Sequence, residues 1–261
     1  MLNTLQLHEE FARVAGERTR LDLWLVANRR FASRARARAA IDAGLVMVDG
    51  ATASRASMTV SAGSEITIAG DVHDYVSRGG VKLAAALDAF AIDPSGRICL
   101  DLGASTGGFS DVLLRRGASK IYAVDVGTDQ LHAQIAADKR VVNLQKTHAK
   151  DLTPRLVLEP VSLVVCDVSF ISIIKALPPA LALTTDDAKL AVLFKPQFEL
   201  GREHIGKGGL VTADDTLVAA RLGEFCDWLA GRGWTIIGTI DSPIIGGDGN
   251  REYLVGAART T

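Results

Sequence analysis

Four charged residues in the later part of the chain each come directly after an apolar run that is typical of a buried strand. They are Asp101, Asp125, Asp167 and Lys195. Because the carboxyl ends of parallel strands meet at one edge of an open α/β sheet, we expect these side chains to converge on one crevice. Acids and an amine gathered in this way are typical of a binding or catalytic site.

The first of these acids opens a glycine-rich turn, Asp101–Ser110, which lies between an apolar run and a helical pattern. A second apolar run ends at Asp125, so the order strand, turn, helix, strand and acid matches the start of a Rossmann nucleotide-binding unit. The glycine spacing differs from that of dinucleotide-binding turns. An acid at this position favours a ligand with a cationic amino-acid end and no pyrophosphate, and S-adenosylmethionine has that shape. The alternative is a Rossmann turn that binds no ligand.

The rest of this part of the chain alternates strands with helices, which predicts a doubly wound, mostly parallel α/β sheet. A helix is predicted over residues 81–90, and an amphipathic helix from about 212 to 229. The strands predicted after the turn and its acid are 141–144, 163–166, 190–194, 234–240 and 252–256.

Composition sets the class of protein. The chain has 261 residues, a formal net charge of −1 and 48% hydrophobic residues, which indicates well-filled cores. Its three cysteines are far apart in apolar segments and lack the spacing of metal ligands, so we expect reduced core residues and no metal. With neither a membrane-length apolar run nor a signal-peptide pattern, the sequence predicts a soluble, cytoplasmic protein without a membrane role.

The first 60 residues contain nine arginines and no lysine. We predict a short helix around residues 21–26, and a second that starts at an N-cap, Ser33, and stops at Gly44. A small sheet with a tight turn at Asp49-Gly50 should follow. Arginines at positions 30, 34 and 38 are spaced to share one face of the second helix, as in a phosphate-backbone binder. The alternative is a solvated face whose arginines pair with the nearby acids Glu9, Glu10, Glu17 and Asp22.

This region resembles the RNA-binding domain typified by ribosomal protein S4. The resemblance is carried by Arg20-Leu21-Asp22, by Ser33-Arg34 and by residues 40–50, and it runs to about residue 70. It implies that the arginine helix lies on structured RNA. The contacts it implies are Arg18, Arg20, Arg30, Arg34 and Arg38.

Residues 75–256 resemble the TlyA family of rRNA 2′-O-methyltransferases, which is related to the FtsJ heat-shock methyltransferases. The matching motifs are SRGGVKL at 77–83, DLGASTGGF at 101–109, DVSF at 167–170, KPQFE at 195–199 and GNREY at 249–253. The resemblance implies a Lys-Asp-Lys-Glu tetrad of catalytic residues: Lys82, Asp167, Lys195 and Glu252. Without the resemblance, Lys82 would be taken as a solvated lysine at a helix N-terminus, and Glu252 as part of a glycine-rich hairpin.

The same resemblance implies S-adenosylmethionine as cofactor and the 2′-hydroxyl of a cytidine in small- or large-subunit ribosomal RNA as substrate. Phe170 is expected to shape a pocket, with a core aromatic as the alternative. The loop at 146–151 departs from the family pattern, with His148 where relatives often have asparagine. The implied cofactor contacts are Asp101, Gly103, Ala104, Ser105, Gly107, Gly108, Asp125, Val126, Ala149, Lys150, Asp151, Asp167 and Phe170.

For such a reaction, Lys195 is the candidate that accepts or stabilises the proton of the ribose hydroxyl. A neutral lysine at pH 7 needs help, since the unperturbed pKa of the amine is about 10.4. Lys82 would favour the neutral form and Asp167 the charged form, and the residues alone leave this open. We expect Asn250 to face the same crevice, and residues 201–209 to form a mobile basic flap beside Lys195.

The sequence thus predicts an N-terminal extension at 1–18, an S4-like RNA-binding domain at 19–70, a linker at 71–80 and a methyltransferase domain at 81–258. Three other functions stay open. They are RNA binding without catalysis, methylation of a base or small molecule, and the membrane-active role suggested by the haemolysin label of some relatives. The last is disfavoured, because no long cationic amphipathic helix is present.

Overall fold

The computed structural model describes residues 18–28, 30–31, 33–42, 45–61, 63–68 and 75–259. The chain divides into two compact units, Met1–Asp74 and Tyr75–Thr261. Of the linker predicted at 71–80, residues 71–74 lie outside the described residues, and residues 75–80 belong to the second unit.

The first unit has two short helices and two small sheets. A three-stranded antiparallel sheet has the order β3-β2-β5, and β1 pairs with β4. Asp49 and Gly50 both have left-handed backbone angles, φ 52° and 80°, as the two-residue turn between β2 and β3 requires. The elements are β1 (Thr19–Arg20), α1 (Leu21–Ala27), α2 (Arg34–Asp42), β2 (Val46–Val48), β3 (Ala51–Thr52), β4 (Thr59–Val60) and β5 (Ile66–Ile68).

The second helix begins later than the arginine spacing suggests. The Ser33 hydroxyl accepts a hydrogen bond from the backbone N–H of Arg36 at 3.4 Å, so Ser33 lies at the N-cap as predicted. Arg30 lies before this cap, and its N–H is bonded to the carbonyl of Leu25 at the end of α1. The prediction that Arg30 shares a helix face with Arg34 and Arg38 is therefore wrong. The predicted stop at Gly44 lies outside the described residues.

The second unit is built on a seven-stranded sheet of order β11-β12-β10-β9-β6-β7-β8. The strand pairs from β8 to β10 are parallel, whereas β12 runs antiparallel to both β10 and β11, so the sheet is mostly parallel as predicted. The strands are β6 (Ile98–Leu102), β7 (Lys120–Val124), β8 (Val141–Leu144), β9 (Val161–Cys166), β10 (Thr184–Phe194), β11 (Trp234–Asp241) and β12 (Tyr253–Arg259).

Helices cover both faces of this sheet. Along β9, Val164 and Cys166 belong to one apolar cluster, and Leu163 and Val165 belong to the other. This alternation is what a sheet buried on both faces requires. The helices are α3 (Gly79–Ala89), α4 (Gly108–Arg115), α5 (Ala133–Ala136), α6 (Ile173–Leu181), α7 (Pro196–Glu199) and α8 (Asp215–Ala230).

Several element boundaries differ from those predicted. Helix α3 begins at Gly79 rather than residue 81, and Glu252 lies one residue before β12 rather than inside it. Helix α8 begins at Asp215 because the Asp214 side chain caps it, accepting a hydrogen bond from the N–H of Leu217 at 2.8 Å. None of the helices in the described ranges is both long and apolar enough to cross a membrane.

Candidate active site

The glycine-rich turn joins β6 to α4 at the carboxyl edge of the sheet. The backbone N–H groups of Gly103 and Ala104 both donate to the carbonyl of Val124, at 2.9 and 3.0 Å, which ties the turn to the end of β7. Gly103 has φ +86°, and a Cβ there would lie 2.6 Å from the carbonyl oxygen of Asp167. Glycine is therefore required, because the turn passes directly against the end of β9.

The last glycine of the turn has a packing reason as well. A Cβ on Gly108 would lie 2.1 Å from the Ser77 hydroxyl and 3.0 Å from the backbone nitrogen of Gly80. The segment that enters α3 thus lies against the start of α4. Sequence reasoning assigned this glycine to the cofactor alone.

Asp125 stands at the end of β7 with its carboxylate held by backbone donors. Its Oδ2 accepts from the N–H of Ser105 at 2.8 Å, and its Oδ1 accepts from the N–H of Gly127 at 2.7 Å. The side chain lines a small cavity together with Asn143, which lies in β8, and Gln145, which directly follows β8. A carboxylate oriented in this way, with lone pairs to spare, can accept hydrogen bonds from a ligand's hydroxyl groups.

Asp101 is fully buried within β6. The Ser110 hydroxyl donates to its Oδ2 at 2.7 Å, whereas Oδ1 has no donor among the residues that the structure describes. Burial raises the pKa of Asp101 to about 7, and the charges of Asp167 and Asp125 add to the rise. A buried carboxyl with one unused acceptor suits a cationic ligand group, so the site fits the amino end of S-adenosylmethionine.

The structure brings Lys82 and Glu252 together, although 170 residues separate them in the chain. Lys82 lies in the first turns of α3, Glu252 lies just before β12, and the Lys82 ammonium donates to Glu252 Oε2. The two residues are only 8% and 4% exposed. A buried lysine at this position is balanced by the glutamate, so it is not the solvated lysine that the helix pattern alone would suggest.

Lys195 and Asp167 form the second ion pair, with Lys195 Nζ 2.6 Å from Asp167 Oδ1. The same ammonium donates to the hydroxyl of Ser169 at 2.8 Å. Strands β9 and β10 are parallel neighbours, and the two residues directly follow them.

The two pairs lie at the same edge, since Phe194 and Tyr253 are paired across β10 and β12. Lys195 directly follows Phe194, and Glu252 directly precedes Tyr253. All four residues of the tetrad therefore lie at the edge of the sheet where β9 and β10 end.

Phe170 is 91% exposed, and its backbone has φ +64°, which is unusual for an aromatic residue. Its ring lies 5.2 Å from that of Phe198, centroid to centroid. The alternative that Phe170 is a core aromatic is wrong, because an exposed ring beside the Asp167 loop does not fill the core.

The residues expected near the adenine follow β8 at the same edge of the sheet. Ala149, Lys150 and Asp151 form one 3₁₀ turn, in which Ala149 packs against the core and the two charged side chains are exposed. Val126, just after Asp125, is exposed.

The segment predicted as a flap, residues 201–209, forms part of a hairpin that is hydrogen-bonded to Asn250. Ile205 and Val211 form an antiparallel bridge. Asn250, which is 3% exposed, accepts from the N–H of Val211 at 2.8 Å and donates to the carbonyl of Gly209 at 2.9 Å. The carboxamide expected to face the crevice is therefore bonded to the hairpin backbone.

In the first unit, Asp22 organises two of the predicted RNA-binding arginines. Arg20 donates to both carboxylate oxygens of Asp22 at 3.0 Å, and Arg34 donates to one of them at 3.0 Å. The hydrogen bonds from Arg20 lower the pKa of Asp22 to about 2. The alternative that the arginines pair with nearby acids is therefore confirmed for Asp22. The side chains of Arg20 and Arg34 nevertheless remain about half exposed. Arg18, Arg30 and Arg38 are exposed as well. The acids at 9, 10 and 17 lie outside the described residues.

Three comparisons place this chain among known proteins. Residues 75–259 match the model of the FtsJ-like methyltransferases, and residues 19–66 match that of the S4 domain. The 16S/23S rRNA (cytidine-2′-O)-methyltransferase TlyA of Mycobacterium tuberculosis H37Rv is 42% identical over 91% of this chain and 89% of its own.

Solved structures agree with this assignment. One described as a hemolysin, from Streptococcus thermophilus, has a TM-score of 0.72 and 35% identity, and the match covers 93% of this chain and 89% of that one. An S-adenosylmethionine-dependent methyltransferase from Mesorhizobium loti, 15% identical, has a TM-score of 0.50 over 69% of this chain and 97% of that one, which shows the fold alone.

The doubly wound sheet, with its glycine-rich turn and acids at the carboxyl edge, is that of a Rossmann-like methyltransferase. The chain belongs to the FtsJ-like methyltransferases and, within them, to the TlyA family, with an S4 domain at its N-terminal end.

Proposed function

We propose that this enzyme transfers a methyl group from S-adenosylmethionine to the 2′-hydroxyl of a cytidine ribose in ribosomal RNA of the small or large subunit. The observation that carries the proposal is the pair of lysine–carboxylate contacts at the carboxyl edge, next to the turn that suits the cofactor. The names of the relatives, which specify rRNA and the cytidine 2′-oxygen, support it. Such a substrate implies that the enzyme works in the cytoplasm.

The residues around the turn would hold the cofactor. The buried carboxyl of Asp101 would face the amino-acid end, and Asp125 would accept from the ribose hydroxyls. When bound, S-adenosylmethionine supplies the electrophilic methyl group. The RNA would be held by the arginines that Asp22 arranges in the first unit, because guanidinium groups bind phosphates.

The residues of the tetrad act on the ribose hydroxyl. As the hydroxyl oxygen forms its bond to the methyl carbon and the carbon–sulfur bond breaks, the hydroxyl proton passes to the amine of Lys195, which must first release its own proton to solvent. Asp167 forms an ion pair with the ammonium that results, and the Ser169 hydroxyl accepts a hydrogen bond from it, so the site stabilises the proton in its new position. Lys82 and Glu252 neutralise one another in the same buried region, so neither leaves an unbalanced charge beside the reaction.

This proposal is tested by the transfer of labelled methyl from S-adenosylmethionine to isolated ribosomal subunits and to naked rRNA. We expect label in 2′-O-methylcytidine with the wild type, and its loss in Lys195→Ala. The matched control is Lys139→Ala, an exposed lysine in the loop before β8, at the opposite edge of the sheet. Cofactor binding without transfer to any RNA would instead favour a non-catalytic RNA-binding protein.

A further inference from the structure

One carboxylate joins the two loops that carry Asp167 and Lys195. Glu199 is the last residue of α7, the short helix that directly follows Lys195. Its Oε2 accepts from the hydroxyl of Ser172 at 2.7 Å, and its Oε1 accepts from the backbone N–H of Ile173 at 2.7 Å. Sequence reasoning placed Glu199 in a family motif but gave it no role.

These two hydrogen bonds close the N-terminal end of α6. Ser172 occupies the N-cap of this helix, and its own side chain caps none of the helix N–H groups. Glu199 supplies the missing acceptor from a different element. A carboxylate at a helix N-terminus also interacts favourably with the helix dipole, which strengthens the contact.

The contact of Glu199 with Ser172 is a second connection between the two loops that meet at the Lys195 amine. Ser172 ends the loop that starts at Asp167, and both Asp167 and Ser169 touch Lys195. From Lys195 the chain returns through α7 to Glu199, and thus to Ser172. The loops after β9 and β10 are therefore joined twice, once through the reacting amine and once through Glu199.

The loop between these two joints has a strained point. Phe170 has a positive φ without being glycine, a conformation that persists only where the surrounding structure holds it. Glu199 holds the end of this loop from outside. Glu199 is half-buried, and burial raises its pKa, whereas the hydrogen bonds from Ile173 and Ser172 favour the charged carboxylate and act against this rise.

We propose that Glu199 is a positioning residue for the methyl-transfer reaction, which keeps Asp167 and Ser169 in contact with Lys195 by fixing the start of α6. Glu199 touches neither the reacting amine nor Asp167, so it acts only through the loop. The inference rests on the proposed function, since the contact matters for catalysis only if Lys195 handles the ribose proton.

The first experiment compares Glu199→Ala with Glu199→Gln in the full-length protein. Alanine removes both hydrogen bonds. Glutamine can keep them, because its Oε1 can accept from the N–H of Ile173 while its Nε2 donates to the Ser172 hydroxyl. We expect Glu199→Ala to lower kcat about 10- to 100-fold, the scale of a small misplacement of reacting groups, with KM for S-adenosylmethionine nearly unchanged. Glutamine should restore most of kcat.

A double-mutant cycle identifies the partner. Ser172→Ala should lower kcat less than Glu199→Ala, and it should have little further effect when added to it. The control is Glu224→Ala, which removes an exposed ion pair with Arg221 on the surface of α8 and should leave kcat as in the wild type. A folded Glu199→Ala with wild-type kcat overturns the proposal, as does a loss that glutamine fails to restore.

Hydrogen exchange gives a readout that needs no substrate. In Glu199→Ala, the backbone amides of residues 168–176 should exchange faster than in the wild type, while those of β6 and β7 should not. Unchanged exchange in this segment rejects the positioning role whatever the activity. If Glu199→Ala exchanges faster but the wild type methylates no rRNA, Glu199 would still stabilise this loop, whereas the proposed function would be rejected. A role of Glu199 in methyl transfer would then be rejected with it.

Discussion

Asp101 makes the stability of the enzyme depend on pH in a direction opposite to that of an ordinary salt-bridged acid. Its pKa is raised from 3.8 to about 7, mainly by complete burial. Between these values the folded protein keeps a proton that the unfolded chain has released. Stability should therefore fall as pH rises through this window, by about 1.4 kcal/mol per pH unit and by about 4 kcal/mol in all, and level off above the folded pKa.

The perturbation that isolates this effect is Asp101→Asn, which keeps the shape of the side chain but cannot ionise. We would measure the free energy of unfolding in urea for both proteins from pH 5 to pH 8. The stability of the variant relative to wild type should rise by about 1.4 kcal/mol per unit until pH 7 and then stay constant. Asp227→Asn, an exposed acid on α8, is the control and should show a constant difference. A pH-independent difference for Asp101→Asn would refute the reasoning.

We expect the same carboxyl to link cofactor binding to proton release. A cationic amino group beside the unused Oδ1 favours the carboxylate, so binding of S-adenosylmethionine below pH 7 should expel the proton of Asp101. Calorimetry at pH 6 in two buffers with different ionisation enthalpies counts the released protons. We expect nearly one proton for wild type and none for Asp101→Asn. Equal counts would show that the cofactor does not meet this carboxyl.

Two other predictions follow from the ion pairs. Asp22→Asn should lower the free energy of unfolding at pH 7, because Arg20 and Arg34 depress the pKa of Asp22. Urea unfolding should show that this difference shrinks as pH falls from 3.8 to about 2, since the wild-type carboxylate loses its charge in the same range. Ser169→Ala removes one of the two contacts of the Lys195 ammonium and should lower kcat about tenfold in the methyl-transfer assay, with KM for S-adenosylmethionine unchanged; an equal change in both constants would contradict this.

Strands that consist of continuous apolar runs can be predicted from the sequence, because a strand buried on both faces of the sheet requires apolar residues at nearly every position. The strand at 141–144 has the predicted bounds. Strand β10 was predicted six residues short, since its first half, Thr184–Lys189, is polar; this part pairs with β9 through an irregular register at the end of the sheet. Period and hydropathy do not detect a strand segment made mostly of polar residues.

The contacts between side chains distant in the chain are not readable in this way. Asp125, Asp167 and Lys195 directly follow strands and can be placed at one edge from topology alone, whereas Asp101 lies inside β6 rather than after it as predicted. The Lys82–Glu252 pair cannot, because a lone lysine near a helix N-terminus reads as solvated until its partner is known. The hydrogen bonds of Glu199 to the start of α6, and those of Asn250 to the hairpin, likewise depend on loop conformations that the sequence pattern does not specify.

The charges of the second unit bear on how RNA is attracted. At its reactive edge Lys82 and Lys195 are each matched by a carboxylate, and the Asp101 carboxyl is neutral below about pH 7. Paired charges in a buried site attract a polyanion weakly. The exposed guanidinium groups of the first unit, arranged by Asp22, are expected to add to that attraction, together with exposed cations of the second unit such as Lys150. Replacement of Arg20 or Arg34 by alanine should therefore reduce the salt dependence of RNA affinity, and unchanged salt dependence would contradict a role for these arginines.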